Sequence, residues 1–175
     1  MIRLLTLLLL ILPAANILAG SVYQTPEDFL QEVYDGTPPQ AQVLWLTGEI
    51  RESSTAIMGH RYPGIRVRYW MEAGRSTWIL EEVGKERPIT TGLVINNDSI
   101  ETLRVLAFRE SRGGEVRHPF FTEQFLGIGL TNNHQLNRNI DGISGATLSV
   151  RALEKLARLA LYLHNQVTLA NDTAP

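Results

Sequence analysis

The pattern of apolar and polar residues predicts one helix near each end of the chain. Thr25, Pro26 and two acidic residues form a typical helix N-terminus, and apolar residues then recur at helical spacing up to Tyr34. From Thr147 to Val167 the apolar residues form one stripe, with charged residues on the opposite face. We expect this stripe to pack on a sheet rather than on a membrane surface, because the polar face carries both acidic and basic residues.

Between the two helices, five segments have the pattern of strands: they alternate apolar and polar residues or are short apolar runs. Turn residues at 73–75 and 96–99 join four of them into two hairpins. A short helix is expected over residues 119–126. The predicted strands cover residues 43–46, 65–70, 77–83, 91–95 and 100–108. The chain is therefore expected to be a single α+β domain, an antiparallel sheet of hairpins packed against a long C-terminal helix, with a short N-terminal helix.

Residues 1–19 have the pattern of a secretory signal peptide. Arg3 precedes an apolar run that ends at Leu12, and small residues then lead to a cleavage point after Ala19. The apolar run is shorter than the roughly 20 residues of a membrane-spanning helix. The alternative is an uncleaved anchor, since Ile17 is only a tolerable residue three positions before a cleavage point.

Composition excludes several kinds of site. With 44% hydrophobic residues and a formal net charge of −2, the 175-residue chain is typical of a globular protein and lacks the basic excess of nucleic-acid binders. It has no cysteine, so disulfides, thiolate metal sites and cysteine nucleophiles are excluded. The four histidines are scattered, so no zinc site is expected, and each histidine is expected at the surface or at a helix cap.

The most informative segment immediately precedes and begins the last helix. Two glycines, an alanine and three hydroxyl residues lie between residues 142 and 149, and Asp141 precedes them. A helix cap by Ser144 or Thr147 is the simplest interpretation, but one cap needs only one hydroxyl. Small residues and free N–H groups at a helix N-terminus also suit a phosphate. The segment therefore suggests a site for a phosphorylated cofactor, with the Thr147 hydroxyl as the attachment point.

The segment Asp141-Gly142-Ile143-Ser144-Gly145-Ala146-Thr147 resembles the flavinylation motif of the FMN-binding domain family. That family includes the covalent-flavin subunits of the sodium-translocating NADH:quinone oxidoreductase and of the Rnf electron-transfer complex. Upstream, residues 105–113 are similar to the family's hairpin and its Glu-Thr-Pro-Gly-like turn, although Arg112 stands where the family usually has proline. Residues 119–125 are similar to its phenylalanine-bearing helix. The likeness covers roughly residues 88–165.

The resemblance implies that FMN is attached to the Thr147 hydroxyl through a phosphodiester. A separate, magnesium-dependent flavin transferase would install it from FAD, and Asp141 would be recognised by that enzyme or would position the acceptor hydroxyl. The backbone of Ser144, Gly145 and Ala146 would line the phosphate. No metal ligand and no catalytic residue is expected.

The resemblance also implies contacts to the rest of the flavin. Leu148 would lie near the ribityl chain or the ring, and Glu110 and Ser111 would offer hydrogen bonds to the isoalloxazine edge, unless they are simply solvated turn residues. The tryptophans are expected in the core rather than on the ring. A cluster of arginines either favours a reduced, anionic flavin or is a solvated set that discourages pairing at a strand edge. These arginines are Arg104, Arg109, Arg112 and Arg117.

The expected function is that of an exported flavoprotein acting in extracytoplasmic electron transfer, a carrier or redox subunit rather than a stand-alone enzyme. We expect it in the periplasm or on the outer face of the cytoplasmic membrane of a bacterium. Its partners would be the flavin transferase and a membrane or periplasmic redox protein, with no nucleic acid, and with membrane contact only through an uncleaved N-terminal anchor. The alternatives are a module that binds FMN or another phosphate ligand reversibly, and a structural interaction domain.

These expectations divide the chain into four parts. Residues 1–19 would be the signal peptide or anchor, and residues 20–63 an N-terminal extension of one helix and one strand. Residues 64–167 would form the FMN-binding domain. Residues 168–175 would be a frayed tail.

Overall fold

The computed structural model describes residues 20–172, so the predicted signal peptide lies outside the described part. In this part the chain forms a single domain of helices on a six-stranded sheet, which confirms the predicted α+β class. The helices are α1 (Pro26–Val33), α2 (Gly48–Met58), α3 (Pro119–Thr122) and α4 (Thr147–Asp172). The strands are β1 (Ser21–Val22), β2 (Gln42–Trp45), β3 (Arg66–Glu72), β4 (Arg75–Val83), β5 (Pro88–Asn96) and β6 (Ser99–Phe108).

The sheet is antiparallel throughout, in the order β1-β6-β5-β4-β3-β2. Strands β3 to β6 form the two predicted hairpins. The turn between β5 and β6 contains Asn97 and Asp98 at φ 48° and 57°, the left-handed conformations that a two-residue hairpin turn requires. Sequential hairpins thus place all strands except β1 beside their neighbours in the chain.

Helix α4 supplies much of the core. Its predicted apolar stripe is fully buried, with Leu153, Leu156 and Leu163 each 0% exposed, and it packs on β4 and β5 as expected. Helix α1 covers the other face, where Phe29 packs with Val94. No helix among residues 20–172 is both long and apolar enough to cross a membrane.

The structure differs from the predicted elements in three places, of which the first is the short strand β1, which pairs with β6 and was not predicted. Helix α2 was not predicted, because its sequence has few apolar residues; it is stabilised by packing of its C-terminal Ile57 and Met58 in the core and by a hydrogen bond from Arg158 to the Ile57 carbonyl (3.1 Å). The prediction of a frayed tail from residue 168 is wrong for residues 168–172, which continue helix α4. Val167 is buried just before these residues, whereas Leu169 is 60% exposed.

The expectation that each histidine lies at the surface or at a cap is wrong for His164, which is 1% exposed. The Trp78 indole N–H donates to Ser76 Oγ (2.8 Å), so the Ser76 hydroxyl proton is free to donate to His164 Nδ1 (2.7 Å). In the tautomer in which Ser76 donates to Nδ1, the ring proton is on Nε2, which lies 3.5 Å from Asp98 Oδ1. Burial lowers the pKa of His164, and the Asp98 carboxylate opposes that change only in part.

Candidate functional site

The loop that leads into helix α4 is a tight turn over residues 143–146. The Ala146 N–H donates to the Ile143 carbonyl (3.0 Å), and Gly145 within this turn has φ 83°, a conformation that favours glycine. The Ala146 carbonyl then accepts the first helical hydrogen bond, from the Val150 N–H (2.9 Å). Helix α4 therefore begins at Thr147, as predicted.

Among the described residues, no side chain accepts a hydrogen bond from the first turn of this helix. Within residues 20–172 neither the Ser144 nor the Thr147 hydroxyl makes a hydrogen bond, so the capping interpretation of these two residues is wrong. The backbone N–H groups of Thr147, Leu148 and Ser149 also have no acceptor in the described part of the chain. The first turn thus presents free donors at the positive end of the helix dipole, an arrangement that suits an anion.

The loop that follows β6 packs directly against the start of α4. Gly113 in this loop is buried and has φ +85°, and a Cβ there would lie 2.7 Å from Ser149 Oγ and 3.3 Å from Ala146 Cβ. Only glycine fits this position. Its contact fixes residues 110–113 as a second wall beside the helix N-terminus.

Glu110 connects this wall to the turn between β4 and β5. Its Oε1 accepts hydrogen bonds from the backbone N–H groups of Lys85, Glu86 (2.7 Å) and Arg87 (2.9 Å). Partial burial raises the pKa of Glu110, but the three hydrogen bonds and the Lys85 charge together lower it by more. The pKa of Glu110 therefore lies below that of an ordinary glutamate. One carboxylate oxygen therefore holds two loops together, a role that no local sequence signal indicates.

The turn at Lys85, the loop at residues 110–112 and the start of α4 form the walls of an open cleft of about 560 Å³, here called the α4 cleft. Its size is within the range of small-molecule sites. Thr147 and Leu148 are exposed at its edge, and a Cβ on Gly145 would meet nothing within 4 Å. The α4 cleft is lined by Lys85, Glu110, Ser111, Arg112, Gly145, Ala146, Thr147, Leu148 and Ser149. Six of the eight predicted flavin-site residues are thereby brought together.

The other two predicted site residues, Asp141 and Ser144, do not line the α4 cleft. Asp141 borders a neighbouring depression with Arg138 and Arg158, and its carboxylate makes no hydrogen bond or ion pair within residues 20–172. Both Asp141 and Ser144 are exposed. They are therefore accessible from solvent in the same loop as Thr147.

The predicted arginine cluster does not act as a unit. Arg104 pairs with Glu32 (2.6 Å), and Arg117 lies over the Tyr23 ring at 4.7 Å. Arg109 is 3.6 Å from Glu81, so among the four only Arg112 lines the α4 cleft. The cleft's second cation is Lys85, which lies in a distant turn and was not predicted.

The tryptophans lie away from the cleft, as expected, but the expectation that they lie in the core is wrong for Trp45, which is 51% exposed, and Trp70 is only half-buried. Trp78 is fully buried and stacks on Tyr69, with ring centroids 5.0 Å apart. Neither Trp45 nor Trp70 lines the α4 cleft. Among residues 20–172, no three histidine, aspartate or glutamate side chains form a group that could hold a metal ion.

These features define a class: a small α+β domain with an open, partly cationic cleft at an uncapped helix N-terminus. Residues 84–162 match the family model of the FMN-binding domain, a range that contains every residue lining the α4 cleft. This match confirms the resemblance inferred from the motif and supports FMN as a ligand of this part of the chain. No curated protein and no solved structure matches the chain.

Proposed function

We propose that this protein carries FMN covalently on Thr147 and works as an exported electron-transfer flavoprotein. The observation that carries the proposal is the position of Thr147: it is exposed, its hydroxyl has no partner within residues 20–172, and it borders the α4 cleft. A hydroxyl that capped the helix would have been occupied instead. The match of residues 84–162 to the family model of the FMN-binding domain agrees with this position.

The residues of the α4 cleft fit a flavin phosphate. The free N–H groups of residues 147–149 would donate to phosphate oxygens, and Lys85 and Arg112 would add positive charge. Gly145 leaves the backbone open to close approach, because nothing lies where its Cβ would be. Leu148, 44% exposed, offers apolar contact beside the acceptor hydroxyl.

Attachment needs a separate enzyme. The Thr147 oxygen would form a bond to the phosphorus of the FMN half of FAD, the pyrophosphate P–O bond would break, and AMP would leave. The hydroxyl proton would pass to a base of the transferase, which would supply Mg²⁺. Asp141, exposed and unpaired six residues before Thr147, is available for recognition by that enzyme.

Bound FMN would supply reversible electron transfer. The chain would retain and orient it: the covalent bond would prevent loss by dilution outside the cytoplasm, and the two cleft cations would favour an anionic reduced ring. The signal-peptide pattern of residues 1–19 supports export to the periplasm or to the outer face of the membrane. The partner would be a membrane or periplasmic redox protein.

Intact mass after denaturation tests covalent attachment. The chain is produced with a bacterial flavin transferase, FAD and Mg²⁺, beside the variants Thr147→Ala, Thr147→Ser and Ser144→Ala. We expect one FMN, less one water, on the wild type, Thr147→Ser and Ser144→Ala, and none on Thr147→Ala. The alanine variant should unfold within about 0.5 kcal/mol of the wild type, because Thr147 is exposed.

Two results would contradict the proposal. An unchanged FMN adduct on Thr147→Ala would show that another residue is the acceptor. A yellow native protein that loses all flavin on denaturation would favour the reversible binding module, which would use the same free N–H groups without the ester bond.

A further inference from the structure

The segment that carries Asp141 has no helix or strand of its own, yet its backbone is held. Between Phe125 and Thr147 the chain forms only isolated bridges and turns. Gln124 reaches this segment from the 3-10 turn Glu123–Phe125: its Oε1 accepts from the Asp141 N–H (2.8 Å), and its Nε2 approaches the Asp141 carbonyl (3.5 Å). The side-chain amide thus pairs with the Asp141 backbone as a neighbouring strand would.

Arg138 holds the same two segments together from the opposite direction. Its Nη2 donates to the carbonyls of Gln124 (2.8 Å) and Leu126 (3.1 Å). Between these two carbonyls lies Phe125, which is 0% exposed and packs edge-on against Phe121 at 5.6 Å. The 3-10 turn is therefore anchored in the core, and through Gln124 and Arg138 it anchors the segment before the motif.

The carboxylate of Asp141 remains free while its backbone is fixed. It is exposed and has no partner within residues 20–172. The following turn at residues 143–146 then leads directly to Thr147. Ile140 and Ile143 pack against the core on either side of Asp141, and the hydrogen bonds from Gln124 and Arg138 add the polar contacts that fix the backbone of this segment.

We infer that Gln124 and Arg138 are positioning residues for flavin attachment: by fixing the Asp141 backbone they present its carboxylate, with the Thr147 hydroxyl, to the flavin transferase in one arrangement. The inference rests on the proposed function. Neither residue touches the α4 cleft, so neither contributes to flavin contact directly.

The test measures initial rates of FMN incorporation at several concentrations of the folded chain, with a purified bacterial flavin transferase, FAD and Mg²⁺. Gln124→Met keeps the size of the side chain and removes both polar atoms. Gln124→Glu keeps the acceptor for the Asp141 N–H and serves as the conservative rescue. Gln31→Met, on the exposed face of α1, is the matched control because its side chain makes no hydrogen bond within residues 20–172.

We expect kcat/KM to fall about tenfold for Gln124→Met, mostly because KM rises. A tenfold loss corresponds to the free energy of about one hydrogen bond. Gln124→Glu should stay within about threefold of the wild type, and Gln31→Met should be unchanged. Arg138→Leu should also lower kcat/KM. Because Arg138 is exposed and lies outside the helices, this variant provides the test if Gln124→Met does not fold. Wild-type kinetics for both Gln124→Met and Arg138→Leu would overturn the inference.

Failure of this inference is distinct from failure of the proposed function. If Thr147→Ala still accepts covalent FMN, the attachment site is wrong whatever the Gln124 variants do. If Thr147→Ala is unmodified and both Gln124→Met and Arg138→Leu are modified normally, the attachment site stands and the positioning role is wrong. A fall in which Gln124→Glu is as slow as Gln124→Met would also contradict the role assigned to the Gln124 acceptor.

Discussion

The first turn of helix α4 and the later part of the helix around His164 differ in how their polar groups are paired. At the start, Thr147 is exposed, and its hydroxyl and the first N–H groups of the helix have no partner within the described residues. About 25 Å further along the axis, His164 is buried and bonded to Ser76, which in turn accepts from Trp78. The first turn leaves its donors free at the surface, whereas the region around His164 pairs its polar groups inside the core.

The difference separates groups that stabilise the fold from groups available to a ligand. A buried polar group costs free energy unless it is paired, so the His164 network is needed by the structure itself. An exposed, unpaired hydroxyl at a helix start stabilises nothing and instead leaves a place for a modifying group. Substitutions around His164 should therefore change the free energy of unfolding. Substitutions at Thr147 should instead change flavin attachment.

The largest effect on folding is expected where the wall of the α4 cleft meets the helix. Gly113→Ala places a Cβ 2.7 Å from Ser149 Oγ at φ +85°, so crowding adds to backbone strain, and we expect a loss of about 3 kcal/mol. Gly145→Ala has a similar φ of +83° but open space, and should lose only about 1 kcal/mol. Denaturant unfolding of both variants measures the difference; equal losses would show that Gly113 does not pack against the helix as described.

In the buried part of helix α4, His164→Leu should lower the free energy of unfolding by about 2 kcal/mol at pH 7, because the Ser76 hydroxyl loses its acceptor. The variant should also lose a pH dependence. Burial lowers the pKa of folded His164, so below its ordinary value of 6.5 the unfolded chain binds more protons, and wild-type stability falls as the pH falls. Thermal unfolding between pH 5 and 8 tests this: parallel curves for wild type and variant would contradict it.

A smaller effect is expected at Glu110, in the wall of the cleft. Glu110→Gln keeps an acceptor for the three backbone N–H groups but removes its charge, and should cost about 1 kcal/mol at neutral pH. Because the pKa of folded Glu110 is lowered, this stabilisation is present above the unfolded value of 4.5 and is lost as the pH falls through the folded pKa. Unfolding at pH 7 and pH 3 should give a smaller difference at the lower pH; a constant difference would show that the charge is not involved.

Local patterns predicted much of this molecule. The strands from β2 to β6 follow from alternation and turn residues, and the start of α4 follows from the residues around Thr147. Of the six predicted site residues that meet in the α4 cleft, four lie in or directly after the motif, and the other two, Glu110 and Ser111, follow from the upstream resemblance. Each of these patterns lies within about ten consecutive residues, but the contact between the two segments does not.

The features that sequence reasoning missed depend on contacts between distant segments. Glu110 bonds to a turn 23 to 25 residues earlier, and His164 bonds to Ser76 across 88 residues. Lys85 reaches the α4 cleft only because Glu110 holds its turn there. A single sequence carries no periodicity or spacing that marks such pairs, so the two walls of the cleft become visible only in the fold.

The most direct test of the central claim is to locate the flavin on the chain. Trypsin cleaves after Arg138 and Arg151, so residues 139–151 form one peptide that contains Ser144, Thr147 and Ser149. After production with the transferase, fragmentation of this peptide should place the mass of FMN, less one water, on Thr147. An unmodified peptide in a fully flavinylated protein, or the added mass on Ser144 or Ser149, would contradict the account.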